Sequence, residues 1–177
     1  MKSKFLALTA LAALISAPAF AAEHEGWVYN GLTGVGSVSA GGYDGNSFST
    51  NMNIGYRWGV VGLEVGYVSF GQWDDTVSGV KVDLDVSGWS GGVNFNGNID
   101  DKWSVQGRVG AFGWNADGHA RSGTTRVSFS DDGNDWYAGA SINYNWSERS
   151  SIGLGYTYYG IDNDSASLWG LSSEFRF

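Results

Sequence analysis

The final stretch of the chain, from Ser167 to Phe177, alternates. Trp169, Leu171, Phe175 and Phe177 fall on one parity, with Ser167 and Ser173 as exceptions. Gly170, Ser172, Glu174 and Arg176 fall on the other, with Leu168 as the exception. A period of two is the pleat of a β-strand, so one face of this strand is apolar and the other polar and charged. A strand closing a membrane barrel can end the chain on an aromatic residue, because its outer face meets lipid and its inner face a polar lumen. That combination restricts the fold more than any other feature of the sequence.

The start of the chain reads as a removable leader. Lys2 and Lys4 form a basic start, Phe5 to Ile15 a short apolar core, and Ala19-Phe20-Ala21 a small-x-small cleavage site. The apolar core is too short to cross a bilayer as a helix. Residues 1–21 are therefore expected to be a signal peptide and residues 22–177 a single barrel domain. The one proline, Pro18, leaves with the leader, so no strand is interrupted by proline. Ten bases, less the two in the leader, against eighteen acids leave a charge of −10 on the expected mature chain. Such an acidic balance argues against nucleic acid as a partner. With no cysteine there is no disulfide framework and no thiolate metal site. A mean hydropathy slightly below zero does not exclude the membrane, since a barrel wall alternates apolar and polar residues.

Alternation continues along the chain. Trp27 to Ser37 is a strand whose faces conflict, because Leu32 and Val35 have opposite parity; a bulge or glycine kink near Gly34 would reconcile them. Phe48 to Trp58, Val61 to Phe70, Trp103 to Trp114, Trp136 to Trp146 and Ile152 to Ile161 alternate cleanly. Val80 to Asn96 changes phase near Gly88, where a bulge is expected. Short turns are expected at 59–60, 97–102 and 147–150, and longer loops at 38–46, 71–79, 115–134 and 162–166. The count is eight strands. The fold class is all-β: an eight-stranded antiparallel up-and-down transmembrane β-barrel, with its longer loops outside the cell.

A soluble carrier barrel would alternate too, with its apolar face inward. Two features favour the inverse orientation. The less apolar face is rich in Gly, Ser and Asn and holds Arg57, Glu64, Gln106, Arg108, Glu174 and Arg176. Aromatics close the ends of the apolar faces at Phe48, Trp58, Trp103, Trp136, Trp146 and Phe177, as two interfacial girdles require. Side chains fill the inside of an eight-stranded barrel, so charges there must pair. Arg57, Glu64, Arg108, Glu174 and Arg176 are the expected interior network within a polar core. In it Glu64 and Glu174 pair with arginines, and Arg108 is the central partner.

The closing Glu174-Phe175-Arg176-Phe177 resembles the aromatic-x-Phe ending of Gram-negative outer-membrane barrels, with Ser172 where a glycine is usual. Trp136 to Tyr144 followed by Ser151 to Tyr159 resembles the penultimate hairpin of OmpA-like and OmpX-like small barrels. The resemblance implies a place in the cell outer membrane among its lipids and lipopolysaccharide. It also implies recognition of the last strand by the barrel assembly machinery, and a role in envelope integrity, adhesion or resistance to host defences. A narrow pore and a lipid A-modifying enzyme are the alternatives.

Catalysis has little to build on. His24 lies near the start and His119 in an expected loop, where His119-Ala120-Arg121-Ser122 lacks the His-x-Ser arrangement of the deacylase barrels. Asp131-Asp132-Gly133-Asn134-Asp135 lacks the spacing and closing Glu of an EF-hand. No enzyme activity, metal or cofactor is expected. Residues 80–86 alternate on their own, as do Thr125, Val127 and Phe129. If the two segments pair and project above the membrane, they offer an edge to an external protein partner; the alternative is a loop that binds nothing.

Overall fold

A computed structural model describes residues 25–177 apart from 41–42, 78–79, 123–124 and 163. The expected leader and His24 lie outside the described residues. Eight strands follow in chain order: β1 Glu25–Ala40, β2 Tyr43–Trp58, β3 Val61–Val77, β4 Val80–Asn98, β5 Trp103–Ser122, β6 Thr125–Ser147, β7 Ser150–Ile161 and β8 Asp164–Arg176. Each pairs antiparallel with its neighbours, and β8 closes on β1 to complete the barrel. Closure satisfies every strand edge across the membrane-spanning part, which hydrocarbon demands.

The wall is apolar outside. Leu154 is 64% exposed, Trp146 62% and Phe177 74%, whereas Asn51, Asn94 and Arg57 are buried inside. The parity of β1 is unbroken, and its register with β2 runs without a shift from Glu25↔Trp58 to Ala40↔Tyr43. The expected bulge near Gly34 is absent. Leu32 is a luminal apolar side chain and Val35 a lipid-facing one, so both belong to one regular strand.

The phase change near Gly88 has a different cause from the one expected. β4 pairs with β5 without interruption from Lys81↔Arg121 to Asn98↔Ser104. Even positions of β4 face inward throughout the described part, from Val86 to Asn96. The chemistry of the two faces changes while the backbone register does not. Below Gly88 the outside is apolar (Trp89, Val93, Phe95) and the inside polar (Ser90, Asn94, Asn96). Above it the inward side chain is the apolar Val86. A strand leaving lipid for water must exchange its faces in this way, because the apolar side now seeks the interior. The bulge lies instead on β3, between Ser69 and Gln72, where Gly71 has φ 75°. A left-handed backbone favours glycine there.

The expected long loops are largely strand. Ladders continue to Ala40↔Tyr43, Val77↔Val80, Ser122↔Thr125 and Ile161↔Asp164. Residues 125–130 do not pair with residues 80–86, because β5 lies between them; Lys81 faces Arg121, and Arg121 faces Arg126. The extensions are not equal around the rim. β2–β3 pairing stops at Thr50↔Ser69 and β6–β7 pairing at Tyr137↔Tyr159. β3 to β6 therefore continue as a four-stranded sheet past the last register pairs of β2 with β3 and of β6 with β7.

The lumen has two layers, not the single polar core expected. Towards the short turns it is polar and charged. Towards the long hairpins it is packed with Phe70, Phe112, Tyr137, Tyr159 and Leu168, joined by Val38, Val68, Val86 and Trp114. Phe112 and Tyr159 lie 4.9 Å apart between ring centroids, and Phe70 and Tyr159 5.2 Å, both edge-on. This geometry suits the aromatic quadrupoles. Opposed glycines make the room: a Cβ on Gly110 would lie 2.6 Å from the Gly92 Cα and 2.7 Å from the Tyr137 ring.

Candidate functional site

The polar layer is built from inward positions of six strands. Arg57 comes from the end of β2, Glu64 from β3, Asn94 and Asn96 from β4, Gln106 and Arg108 from β5, Tyr137 from β6, and Glu174 and Arg176 from β8. Each reaches the lumen because its parity matches its strand's inner face.

Two clusters form around the two carboxylates. Arg57 grips Glu174 with both terminal nitrogens, Nη1 to Oε1 at 3.1 Å and Nη2 to Oε2 at 2.7 Å. Arg57 is fully buried. Arg176 donates from Nε to Glu174 Oε1 at 2.7 Å, and Gln106 donates from Nε2 to Oε2 at 3.1 Å. Asn96 adds a longer bond to Oε1 at 3.3 Å. In the second cluster Arg108 donates to Glu64 Oε1 from Nε at 3.0 Å and from Nη2 at 2.7 Å. The Tyr137 hydroxyl reaches the same oxygen at 2.8 Å, and Asn94 donates to Oε2 at 3.0 Å. Asn94 also accepts from Arg57 Nε at 3.4 Å and so connects the clusters. Arg108 Nη1 further donates to Asn51 Oδ1 at 2.9 Å, and Asn51 bonds Asn53.

All five sequence-identified charges therefore meet in one network, but in two clusters, Arg57 and Arg176 on Glu174 and Arg108 on Glu64, and not around a single centre. Of the two carboxylates Arg108 bonds only Glu64, and Arg57 is the principal partner of Glu174. Tyr137, Asn94 and Gln106 complete the coordination. Tyr137 was legible only as an inward-parity residue of β6, since nothing local says that its hydroxyl reaches β3. Beside Arg108, Gln106 and Asn30 lies a void of about 10 Å³, room for one water. The Asn30 side-chain nitrogen at its edge has no protein partner.

The six aromatics assigned to the girdles all face outward: Trp58, Trp103, Trp146 and Phe177 towards the short turns, Phe48 and Trp136 towards the long hairpins. Trp27, Trp89 and Trp169 join them outside. Trp103 stacks edge-on against Tyr144 at 5.4 Å and Trp136 lies against Tyr158 at 5.1 Å.

His119 lies within β5, opposite Asp83 and Ser128, and not in a loop. Asp131 and Asp132 are likewise on β6, opposite Ala116 and Asn115. Among the described residues no group of three or more His, Asp or Glu is placed to hold a metal ion.

A closed eight-stranded barrel, greasy outside and filled with paired charges inside, defines the small outer-membrane barrels. The chain belongs to the outer membrane protein beta-barrel domain family, whose model matches residues 7–177. No curated protein matches the sequence significantly. Among solved structures it is similar to Ail, the attachment invasion locus protein of Yersinia pestis, in complex with the heparin analogue sucrose octasulfate. The TM-score there is 0.63 at 20% identity, over 87% of this chain and 100% of Ail. Neisserial surface protein A gives 0.59 at 15% identity, over 85% and 96% of the two chains. The N-terminal β-barrel domain of Pseudomonas aeruginosa OprF gives 0.51 at 15% identity, over 87% and 100%. The protein is thus an outer-membrane β-barrel.

Proposed function

We propose that this barrel is a non-enzymatic surface-interaction protein, in which a rigid filled lumen anchors an extracellular sheet that meets partners outside the cell. The observation that carries the reading is the four-stranded extension of β3 to β6, which continues past the last β2–β3 and β6–β7 register pairs, Thr50↔Ser69 and Tyr137↔Tyr159. A sheet that projects beyond the barrel presents its strands to an incoming chain. Ail, by its name an attachment protein, is a precedent for a barrel of this fold acting at the surface.

The luminal network then acts as a structural plug. Its void has room for a single water, so the filling argues against a pore. The outward aromatics sit at the two lipid–water boundaries. Residues 1–21 are removed on export, and the last strand with Phe177 addresses the assembly machinery. Lipids and lipopolysaccharide surround the wall.

Trimming both tall hairpins to short turns, by deleting 73–84 and 116–131, tests the role. The trimmed barrel is expected to fold and migrate as a heat-modifiable species while cells bearing it lose attachment to host surfaces. Attachment equal to that of the untrimmed protein would reduce the function to envelope structure.

A further inference from the structure

At the short-turn end of β1 and β2 the outward face is aromatic and also carries a charge. In register, Glu25 stands opposite Trp58 and Trp27 opposite Tyr56. Glu25 and Trp27 share the outward parity of β1, and Tyr56 and Trp58 that of β2. These four side chains therefore form one compact block on the lipid side of the wall. Trp27 is 56% exposed and Trp58 52%, and Glu25 is exposed beside them. The rings are not parallel. Trp27 and Tyr56 lie 5.7 Å apart with 90° between their planes, and Tyr56 and Trp58 5.0 Å apart with 54°. On the β8 side the exposed Phe177 adjoins Trp27, to whose carbonyl its backbone N–H donates at 3.0 Å. On the β3 side stand Val61, opposite Trp58, and Leu63, opposite Tyr56.

Glu25 is the one charged side chain of these outward positions. Among the described residues the ion pairs all lie in the lumen, so no Lys or Arg neutralises it. An aromatic face is the negative side of a quadrupole and attracts a cation within about 6 Å of the ring centroid, tryptophan most strongly. An ammonium group at the block meets a carboxylate and ring faces set at an angle to one another. An anion there meets the repulsion of Glu25.

Depth decides which ammonium. Trp and Tyr settle at the level of the lipid headgroups. Glu25 lies two residues beyond Trp27 on the water side, about 5 Å at the usual rise and tilt of a barrel strand. Towards the middle of the wall Ile54, Leu63 and Val65 are exposed and apolar, a track for acyl chains. A molecule with an ammonium at one end and hydrocarbon at the other matches that order. We propose that Glu25, Trp27, Tyr56 and Trp58 seat the ammonium head of phosphatidylethanolamine. This inference concerns the lipid wall and does not depend on the role given to the extracellular sheet.

The folded barrel in neutral detergent is titrated with dilauroyl phosphatidylethanolamine, or with phosphatidylglycerol of the same chains, and bound lipid is counted by native mass spectrometry. Heat-modifiability gels establish that each variant is folded. The parent is expected to bind the ethanolamine lipid at least threefold more tightly than the glycerol lipid. E25Q should lose that preference, and W27L/W58L should weaken ethanolamine binding at least fivefold. F48L, which removes an exposed ring at the opposite boundary, should bind like the parent. A smaller preference in the parent, a preference that survives in E25Q, a smaller loss in W27L/W58L, or a comparable loss in F48L overturns the proposal. If W27L/W58L does not fold, W58L is read alone, with at least threefold weaker binding expected and a smaller loss overturning the seat. A lysine-rich peptide that displaces the lipid from the parent would assign the seat to a protein partner and overturn the lipid.

Discussion

Replacing Arg108 with leucine tests the energetics of the lumen most directly. The substitution keeps a large apolar side chain in place but removes two donors from Glu64 Oε1, at 3.0 and 2.7 Å, and one from Asn51 at 2.9 Å. Glu64 is left 4% exposed without a cation beside it. Breaking one side of a buried ion pair costs about 3–5 kcal/mol. Tyr137 and Asn94 still donate to the carboxylate, which places the expectation near the lower bound, about 3 kcal/mol. Arg57→Leu is the internal control. Although Arg57 is the more buried arginine, Glu174 keeps Arg176 at 2.7 Å together with Gln106. Its carboxylate is never left without a cation, so the expected loss is smaller, about 1.5–3 kcal/mol for the hydrogen bonds to a charged group. The assay is urea unfolding of barrels refolded into lipid vesicles, followed by tryptophan fluorescence and by the gel shift of the folded form. Pairing Arg108→Leu with Glu64→Leu should recover at least half of the loss, since an apolar pair strands no charge. If Arg108→Leu costs less than about 1 kcal/mol, or less than Arg57→Leu, the pairwise account of the lumen is wrong.

Two further substitutions test the orientation of the wall and the apolar plug. Leu154→Arg puts a cation on the lipid face of β7 and should destabilise the barrel by about 2–4 kcal/mol in vesicles. A neutral result there would mean that this face does not meet hydrocarbon. Phe112→Ala removes a ring packed against Phe70 and Tyr159. It should cost about 3–5 kcal/mol through the cavity left behind, measured by the same unfolding curves. A loss under about 1 kcal/mol would show that the upper layer does not bear on stability.

Most of the wall was legible in the chain. Phe48 to Trp58 and Trp136 to Trp146 alternate strictly, and each faces as its parity requires. Two readings failed for one physical reason. Leu32 and Val35, and the segment around Gly88, look like breaks in phase only when apolar is equated with outward. That equation holds only where lipid surrounds the wall. Leu32 fills the lumen, and β4 beyond Gly88 is outside the bilayer, so in both places an apolar side chain faces in without any register shift. The same assumption hid the strands within 71–79 and 115–134, whose Asp, Ser and Gly content resembles loop composition yet stands in continuous ladders.

What the sequence settled by itself is local: the two-residue pleat, the order of the strands, and the face to which each side chain belongs, all consequences of backbone geometry. Partnership across the lumen is not local. Arg57 and Glu174 are 117 positions apart and meet because β2 and β8 flank β1, while Glu64 finds Arg108 and Tyr137 two and three strands away. Those distances depend on the diameter and shear of the closed cylinder, which no strand possesses before the last one joins the first.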